Sequence, residues 1–486
     1  MSERARPAVN LNEIDPRVFP ATAERCTGCH QLKLNGIPAI KLTDRFGTPL
    51  YVLDEDVARS RAREARKALQ SEFARIGSDA TVYYAGKAFL STAVVRWMAD
   101  EGLNVDVASG GELAVALAAG LAPERIGFHG NNKSEAEIAE AVAAGVGTIV
   151  IDSEQEIARV AAAAAEAGRI QRVRLRVNSG VHASTHDFLA TAHEDQKFGL
   201  PLERAVELVG RIAESDALEF VGLHCHIGSQ IFATDGFRES ARRLLGVYPA
   251  LGELLGRPVP ELNLGGGFGI AYTPAQAADA PEIRAVAREL ADIVAETCAE
   301  AGIAVPKLAF EPGRSIIGPA GVTLYTVGTT KAVALSGTES VEEQLDGVFD
   351  ERLYVSVDGG MSDNLRPALY GADYHVRIAN RESDAPPALA RVVGKHCESG
   401  DIVVQRDLLP GDVAPGDLLA VAATGAYCWS MSSNYNYVPR PPVVAISDGQ
   451  ARLIVRGETI EELVAKSVLE GEPDAEPVAL GRAKRD

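Results

Sequence analysis

Eight short apolar runs alternate with amphipathic, alanine-rich stretches between residues 54 and 314, and this alternation constrains the fold more than any other feature. The runs are Thr81–Lys87, Leu103–Ser109, Ile126–Gly130, Thr148–Asp152, Val173–Asn178, Phe220–His226, Glu261–Gly267 and Lys307–Pro312. Apolar strands that alternate with helices predict a parallel sheet covered by helices. Eight such units within about 260 residues satisfy the requirement for a closed (β/α)8 TIM barrel. An open, doubly wound sheet is the alternative.

After Pro312 the helical periodicity gives way to Val-rich runs separated by Gly, Pro and Asp. The runs are Gly321–Val327, Leu353–Asp358, Ala390–Gly394, Asp401–Val404, Asp417–Ala423 and Val443–Ser447. Such runs predict an antiparallel β domain, sandwich-like or barrel-like. The segment Pro38–Leu53 is strand-like, and we expect it to join this domain because it precedes the first barrel helix.

The predicted α/β chain therefore has two domains and two flanking segments. They are an N-terminal extension (1–35), a barrel (54–314), a β domain (36–53 with 315–468) and a flexible tail (469–486). Residues 336–347 have the character of an insertion in the β domain.

The composition narrows the functional class. The net charge is −19, and no Lys/Arg block supplies the basic face that nucleic-acid binding requires. No apolar run reaches the length of a membrane span, and the N-terminal residues lack the apolar core of a secretory signal. Six scattered cysteines fit a reducing compartment. We expect a cytoplasmic enzyme that binds neither nucleic acid nor a membrane.

One cysteine pattern stands apart from the rest. Cys26-Thr27-Gly28-Cys29-His30 has the spacing of a c-type haem attachment site, whose chemistry requires export. The alternatives are a metal site and an incidental cluster, so the role of the extension stays open.

In a barrel the active site lies at the carboxyl ends of the strands. The polar and glycine residues at those predicted ends are Lys87, Asp106, Ser109, His129, Asn131, Asp152, Asn178, His226, Ser229, Gly265–Gly267, Glu311 and Arg314. A lysine, a histidine, three glycines and an acid–base pair are therefore expected at one mouth.

Each of these groups also has a simpler interpretation. Lys87 is a possible nucleophile for an aldehyde or an ordinary strand-end lysine. Gly265–Gly267 can admit a phosphate or form a tight turn, but Ile270 breaks the Rossmann fingerprint. Glu311 and Arg314 can be functional or a structural ion pair. The His224/His226 pair lacks a third residue with metal-ligand spacing, so we predict no metal.

Together these residues resemble the fold-type III pyridoxal-phosphate (PLP) decarboxylases, which share their barrel with alanine racemase, and most closely the diaminopimelate decarboxylases. The resemblance extends from about Gly36 to about Glu461. It is carried by the motifs Tyr84–Phe89, Asp195–Gly199, His224–Gln230, Gly265–Tyr272, Glu311–Arg314, Asp358–Met361, Arg366–Tyr370, Cys397–Asp401 and Gly425–Tyr427.

The resemblance implies pyridoxal 5'-phosphate as the cofactor, bonded covalently to Lys87. It implies that His226 stacks on the pyridine ring and that Glu311 faces the ring nitrogen. The other implied cofactor contacts are Ser229, Gly267, Gly313, Arg314 and Tyr427.

The implied reaction is the decarboxylation of meso-2,6-diaminopimelate to L-lysine. The resemblance implies that Arg314, Arg366 and Tyr370 bind the substrate carboxylates, with Tyr427 between cofactor and substrate. Cys397 is the implied proton donor, and Glu398 the implied ligand of the distal ammonium. In that family Cys397 and Glu398 come from a second subunit, which implies a homodimer with shared active sites.

Three alternatives have different requirements. An ornithine or arginine decarboxylase shares Lys87, Glu311 and Cys397 but needs no cationic group for a second carboxylate. An alanine racemase is smaller and lacks the pair at 397–398. A non-catalytic regulator of the same fold would be expected to have lost Lys87 or Cys397.

Overall fold

The computed structural model describes residues 10–181, 197–335 and 349–468, and within them eight parallel strands close into a barrel. The strands are Ala80–Ala85, Asn104–Val107, Ile126–Phe128, Thr148–Ile151, Gln171–Asn178, Leu218–His224, Glu261–Asn263 and Lys307–Phe310. The ring closes because the last strand pairs with the first, Leu308 opposite Ala80. The predicted closed barrel is confirmed, and the open sheet is wrong.

Helices cover the outside of this ring. They are Glu55–Arg75, Thr92–Asp100, Gly110–Ala118, Glu135–Ala144, Glu154–Glu166, Ala205–Ala213, Asp235–Gly246, Tyr248–Leu255 and Ile283–Ala301. N-cap side chains fix where several helices begin: Asp54 accepts from the Val57 N–H, and Ser134 forms a capping box with Glu137. A cap of this kind stabilises a helix by about 1 kcal/mol.

A second, mixed sheet packs beside the barrel mouth. Its strands are Leu50–Asp54, Gly321–Ala334, Glu351–Val357, Val376–Ile378, Pro387–Val393, Ile402–Pro410, Leu418–Ala422, Val443–Ser447 and Gln450–Val455. The predicted antiparallel pattern fails at two pairings, since Glu351–Val357 runs parallel to Pro387–Val393 and Leu50–Asp54 runs parallel to Val443–Ser447. Parallel neighbours need long connections, and here one connection includes the short helix Arg366–Tyr370 while the other contains the whole barrel.

The strand-like interpretation of Pro38–Leu53 is wrong over half its length. Ala39–Phe46 is a helix with Leu42 buried, and it ends at Gly47, whose φ is 76°. Leu50–Asp54 is a strand that pairs with Gly321–Ala334, and Pro38 ends the two-residue strand Ile37–Pro38. The helix was missed because eight residues give barely two turns of periodicity.

Several sequence features lie outside the described residues. They are the first nine residues, Asp195 and Gln196 of one motif, the predicted insertion 336–347 and the predicted tail 469–486. Among the described helices, none is both long and apolar enough to cross a bilayer.

Candidate active site

A cavity of about 650 Å³ opens at the carboxyl ends of the barrel strands, beside the second sheet. Ten of the twelve predicted site residues line it: Lys87, His226, Ser229, Gly267, Glu311, Gly313, Arg314, Arg366, Tyr370 and Tyr427. An adjoining cavity of about 390 Å³ shares Lys87, His226 and Glu311 with it. Residues that are distant in sequence are thus brought to one mouth.

Lys87 lies just beyond its strand rather than within it. The strand ends at Ala85, and Gly86–Ala88 forms a 3-10 turn in which Lys87 is exposed while both neighbours are buried. The carbonyl of Ala88 accepts hydrogen bonds from the Tyr427 N–H at 2.8 Å and the Ser430 hydroxyl at 3.0 Å. The second sheet therefore holds the lysine turn and places Tyr427 beside it.

Glu311 is a carboxylate held in the barrel interior. Asn263 donates to its Oε1 at 2.6 Å, and His224 Nε2 lies 3.1 Å from the same oxygen. Burial acts to raise the pKa of Glu311, but His129 and His224 outweigh it and bring the pKa well below the ordinary value. Glu311 therefore presents a negative charge to the cavity at neutral pH.

The titratable groups around Glu311 are shifted toward their neutral forms. Burial, and then the charge of Glu311, raise the pKa of Asp106 well above its ordinary value. Burial lowers the pKa of His129 and of His224 to about 4, so both rings are neutral near pH 7. His129 Nε2 lies 3.1 Å from Asp106 and 3.6 Å from Glu311.

The sequence analysis did not assign this cluster. Asp106 and His129 stood among the strand-end residues without a role, and His224 was considered as half of a metal site that lacked a third residue. The fold instead groups His224 with His129 and Glu311, whose ligand atoms lie within 4.8 Å of one another, and His226 is not part of that group. The only available signal was that each follows or ends a barrel strand, which says nothing about mutual distance.

His226 presents an uncharged aromatic ring to both cavities. Burial lowers its pKa to about 3, and its Nδ1 accepts a hydrogen bond from the Gly266 N–H at 3.3 Å. The hydrogen bond fixes the ring orientation. A neutral, flat ring in this place suits stacking against another aromatic ring.

The glycine triplet is required by close backbone packing. A Cβ on Gly266 would lie 2.1 Å from the Glu311 carbonyl oxygen. Gly267 has a φ of 102°, and its Cβ would lie 2.4 Å from the Gly228 carbonyl oxygen. The turn therefore brings bare backbone to the cavity wall, the surface that a phosphate group needs.

Two arginines, Arg314 and Arg366, make one end of the 650 Å³ cavity cationic. Arg314 donates to the Ser229 hydroxyl at 2.9 Å and also to the Tyr272 hydroxyl. Arg366 is buried, donates to the Tyr374 hydroxyl at 2.6 Å and lies 4.6 Å from the Tyr272 ring centroid. Within the described residues neither arginine has a carboxylate partner, so both charges remain available to an anionic ligand. Tyr272 stood in a recognised motif but received no role.

Cys397 and Glu398 line neither cavity. Both are exposed, in a turn where the Cys397 N–H donates to Asn436 Oδ1 at 3.2 Å. Buried Asp401 ties this turn to the sheet by accepting from the Met361 N–H at 2.6 Å and the His396 N–H at 2.7 Å. One chain thus brings ten predicted site residues together and leaves these two on its surface.

Known proteins share both the sequence and this architecture. The sequence model of the family described as "Pyridoxal-dependent decarboxylase, pyridoxal binding domain" matches residues 58–318. The diaminopimelate decarboxylase of Mycobacterium tuberculosis is 50% identical over 467 residues, covering 94% of this chain and 99% of the relative. A crystal structure of diaminopimelate decarboxylase from M. jannaschii has a TM-score of 0.82 at 31% identity and covers 93% of this chain and 98% of its own. A second structure of that enzyme, in complex with L-lysine, has a TM-score of 0.80 at 31% identity and covers 92% and 98%.

Proposed function

The chain belongs to the diaminopimelate decarboxylases, within the pyridoxal-dependent decarboxylase family, and on this premise we propose that it converts meso-2,6-diaminopimelate to L-lysine and CO2. The observation that carries the proposal is the composition of one cavity. It joins an exposed lysine, a buried ionised carboxylate and two arginines that lack carboxylate partners within the described residues.

The barrel side of the cavity fits pyridoxal phosphate. When bound, this group accepts the electron pair left behind as CO2 departs. Lys87 is its proposed covalent attachment point, His226 stacks on its ring and Tyr427 packs beside it. Its phosphate contacts are proposed to be Ser229, Gly267, Gly313 and Arg314.

Glu311 is proposed to hold a proton on the ring nitrogen of the cofactor. Its ionised carboxylate accepts a hydrogen bond from that N–H and so favours the protonated nitrogen. Asn263 and His224 fix the carboxylate, and burial together with the charge of Glu311 raises the pKa of Asp106, which disfavours a second charge there. This preorganisation is complete within one chain.

The cationic end of the cavity selects the substrate. Arg314, Arg366 and Tyr370 are proposed to bind its carboxylates, because a planar guanidinium pairs with a carboxylate through two parallel hydrogen bonds. The aromatic rings packed on Arg314 and Arg366 restrict both side chains before any ligand arrives. A decarboxylase for ornithine or arginine has no second carboxylate that would need these charges.

We infer further that the active site is completed by a second copy of the chain in a homodimer. Cys397 is then the proton donor to the substrate carbon, and Glu398 binds the distal ammonium. Their exposure in one chain supports this inference, as do the exposed side chains of Tyr435 and Tyr437, which flank the asparagine that holds the Cys397 backbone. Large exposed aromatic side chains are typical of interfaces.

The proposed function is tested by CO2 release from meso-diaminopimelate, L-ornithine, L-arginine and L-lysine. A site built to pair a buried charged group rejects analogues without that group by about 10^4-fold. We expect kcat/KM for meso-diaminopimelate to exceed the other values by that order. A comparable kcat/KM for ornithine or arginine would favour the alternative decarboxylase, and no CO2 from any of the four would favour the non-catalytic regulator.

A further inference from the structure

The Cys26–His30 turn of the N-terminal extension is an ordered structure docked on the second sheet. It joins two strands of a small sheet, Glu24–Arg25 and Leu32–Leu34, and is closed by hydrogen bonds from the Cys26 N–H to the Gln31 carbonyl and from the His30 N–H to the Cys26 carbonyl, both 2.9 Å. Leu32 is buried, and its N–H donates to the Ala379 carbonyl at 2.8 Å.

A salt bridge holds the other side of the turn. His30 Nδ1 lies 2.6 Å from a carboxylate oxygen of Glu382. Cys29 is exposed and Cys26 is half-buried, so both sulfurs sit at the surface of a turn whose backbone is fixed. Neither residue lines the cavities described above.

The two thiols belong to one turn and are not equivalent. The Cys29 N–H donates a hydrogen bond to Cys26 Sγ at 3.3 Å. Hydrogen bonding by Cys29, through its side chain and its N–H, and by the Gly28 N–H lowers the pKa of Cys26 to about 7. By contrast, burial raises the pKa of Cys298 and of Cys428 to about 11.

Titratable and charged groups lie on both elements that meet at this turn, the extension and the second sheet, but hydrogen bonds are the main cause of the lower Cys26 pKa. These groups are Glu24, Arg25, His30 and Lys33 on the extension and Arg381 and Glu382 on the second sheet. Of these, Lys33 contributes to the lower pKa of Cys26, and less than any hydrogen bond.

We propose that Cys26 and Cys29 form a thiol–disulfide exchange site that reacts with small or exposed disulfides. The Cys26 thiolate attacks one sulfur of the incoming disulfide, giving a mixed disulfide and releasing one thiolate. Cys29 then loses its proton and attacks Cys26 Sγ, closing the Cys26–Cys29 disulfide and releasing the second thiol. Two cysteine thiols are oxidised and one disulfide is reduced to two thiols, so atoms and electrons balance.

The geometry favours this chemistry over a metal site. Among the described residues, the group of ligand atoms close enough to share an ion includes neither cysteine. Of the two ring nitrogens of His30, Nδ1 is engaged by Glu382.

The first test measures alkylation of the intact protein by iodoacetamide across pH 5–10, with each cysteine peptide quantified by mass spectrometry. We expect the Cys26 rate to be half-maximal near pH 7. Because a less basic thiolate is also a weaker nucleophile, its rate at pH 7 should exceed that of an ordinary thiol only by about threefold, so the midpoint is the better signature. Cys29→Ala should move the midpoint toward about 8.5.

The second test equilibrates the protein with mixtures of reduced and oxidised glutathione. We expect a Cys26–Cys29 disulfide in the wild type, and a glutathione adduct on Cys26 in Cys29→Ala. Decarboxylase activity should be unchanged in Cys26→Ser and Cys29→Ala, which verifies that both variants are folded. A Cys26 midpoint at or above 8.5, an adduct that forms only on Cys29, or a stoichiometric zinc ion that protects both thiols would overturn the proposal.

Discussion

The barrel side and the β-sheet side of the cavity differ in how complete they are within one chain. On the barrel side, Glu311 is buried and hydrogen bonded to Asn263 and His224. On the sheet side Tyr370 is 64% exposed, and Cys397 and Glu398 lie on the surface. The difference teaches that the fold of one chain brings the proposed cofactor contacts together, whereas the roles proposed for Cys397 and Glu398 require a second copy of the chain.

Removal of the barrel-side lysine should have the largest effect. Lys87→Ala is expected to lower kcat by about 10^4-fold or more, the loss typical when a covalent catalytic residue is removed. Lys307→Ala is the matched control, because that lysine begins a barrel strand at the end opposite the cavity. CO2 release provides the measurement, and borohydride reduction of the wild type should attach the cofactor to the Lys87 peptide. A label on another lysine would contradict the assignment.

A sheet-side arginine should affect one substrate rather than the whole reaction. Loss of one partner of a buried charge pair costs about 2 to 5 kcal/mol, so Arg366→Leu should lower kcat/KM for meso-diaminopimelate by about 30-fold to about 5,000-fold. Residual turnover of ornithine should not fall with it. Arg391→Leu, in a strand of the second sheet and outside the cavity lining, serves as the control. Equal losses for both substrates would show that Arg366 is structural.

The proposed proton donor should have the smallest effect of the three. Cys397→Ala is expected to lower kcat by about 10^2-fold, the contribution of a positioned general acid, while cofactor and substrate binding persist. The cofactor absorbance and a substrate titration report binding, and the rate of L-lysine formation reports the protonation step, which follows CO2 release. If the variant loses cofactor but keeps kcat after reconstitution, Cys397 supports the structure instead.

The features that the sequence predicted correctly are those that follow from the periodicity of apolar residues and from the motifs at the strand ends. The barrel, the family and the reaction are confirmed, because eight apolar runs and an ordered series of motifs determine them. The parallel pairing of Glu351–Val357 with Pro387–Val393 was missed, because pairing partners distant in sequence leave no local signal. The individual residue roles, the domain boundaries and the cytoplasmic location stay predictions.

The cluster around Glu311 is the clearest example of a feature that could not be predicted from the sequence. Asp106 and His224 lie in two barrel strands and His129 directly follows a third, and no spacing pattern connects them. Their mutual distances, and therefore the direction of each pKa shift, exist only once the barrel has closed. The Cys397 turn presents the opposite case, because its motif was recognised although one chain alone does not bring it to the cavity.

Complementation between two inactive variants tests the shared site most directly. Lys87→Ala and Glu398→Ala each disable a different side, and in a mixed dimer one site collects both changes while the other is intact. Random reassortment of equal amounts makes about half of the dimers mixed, so co-refolding should restore about a quarter of wild-type CO2 release. No recovery, with mixed dimers verified by mass, would mean that both residues serve the same chain's site and would contradict the account.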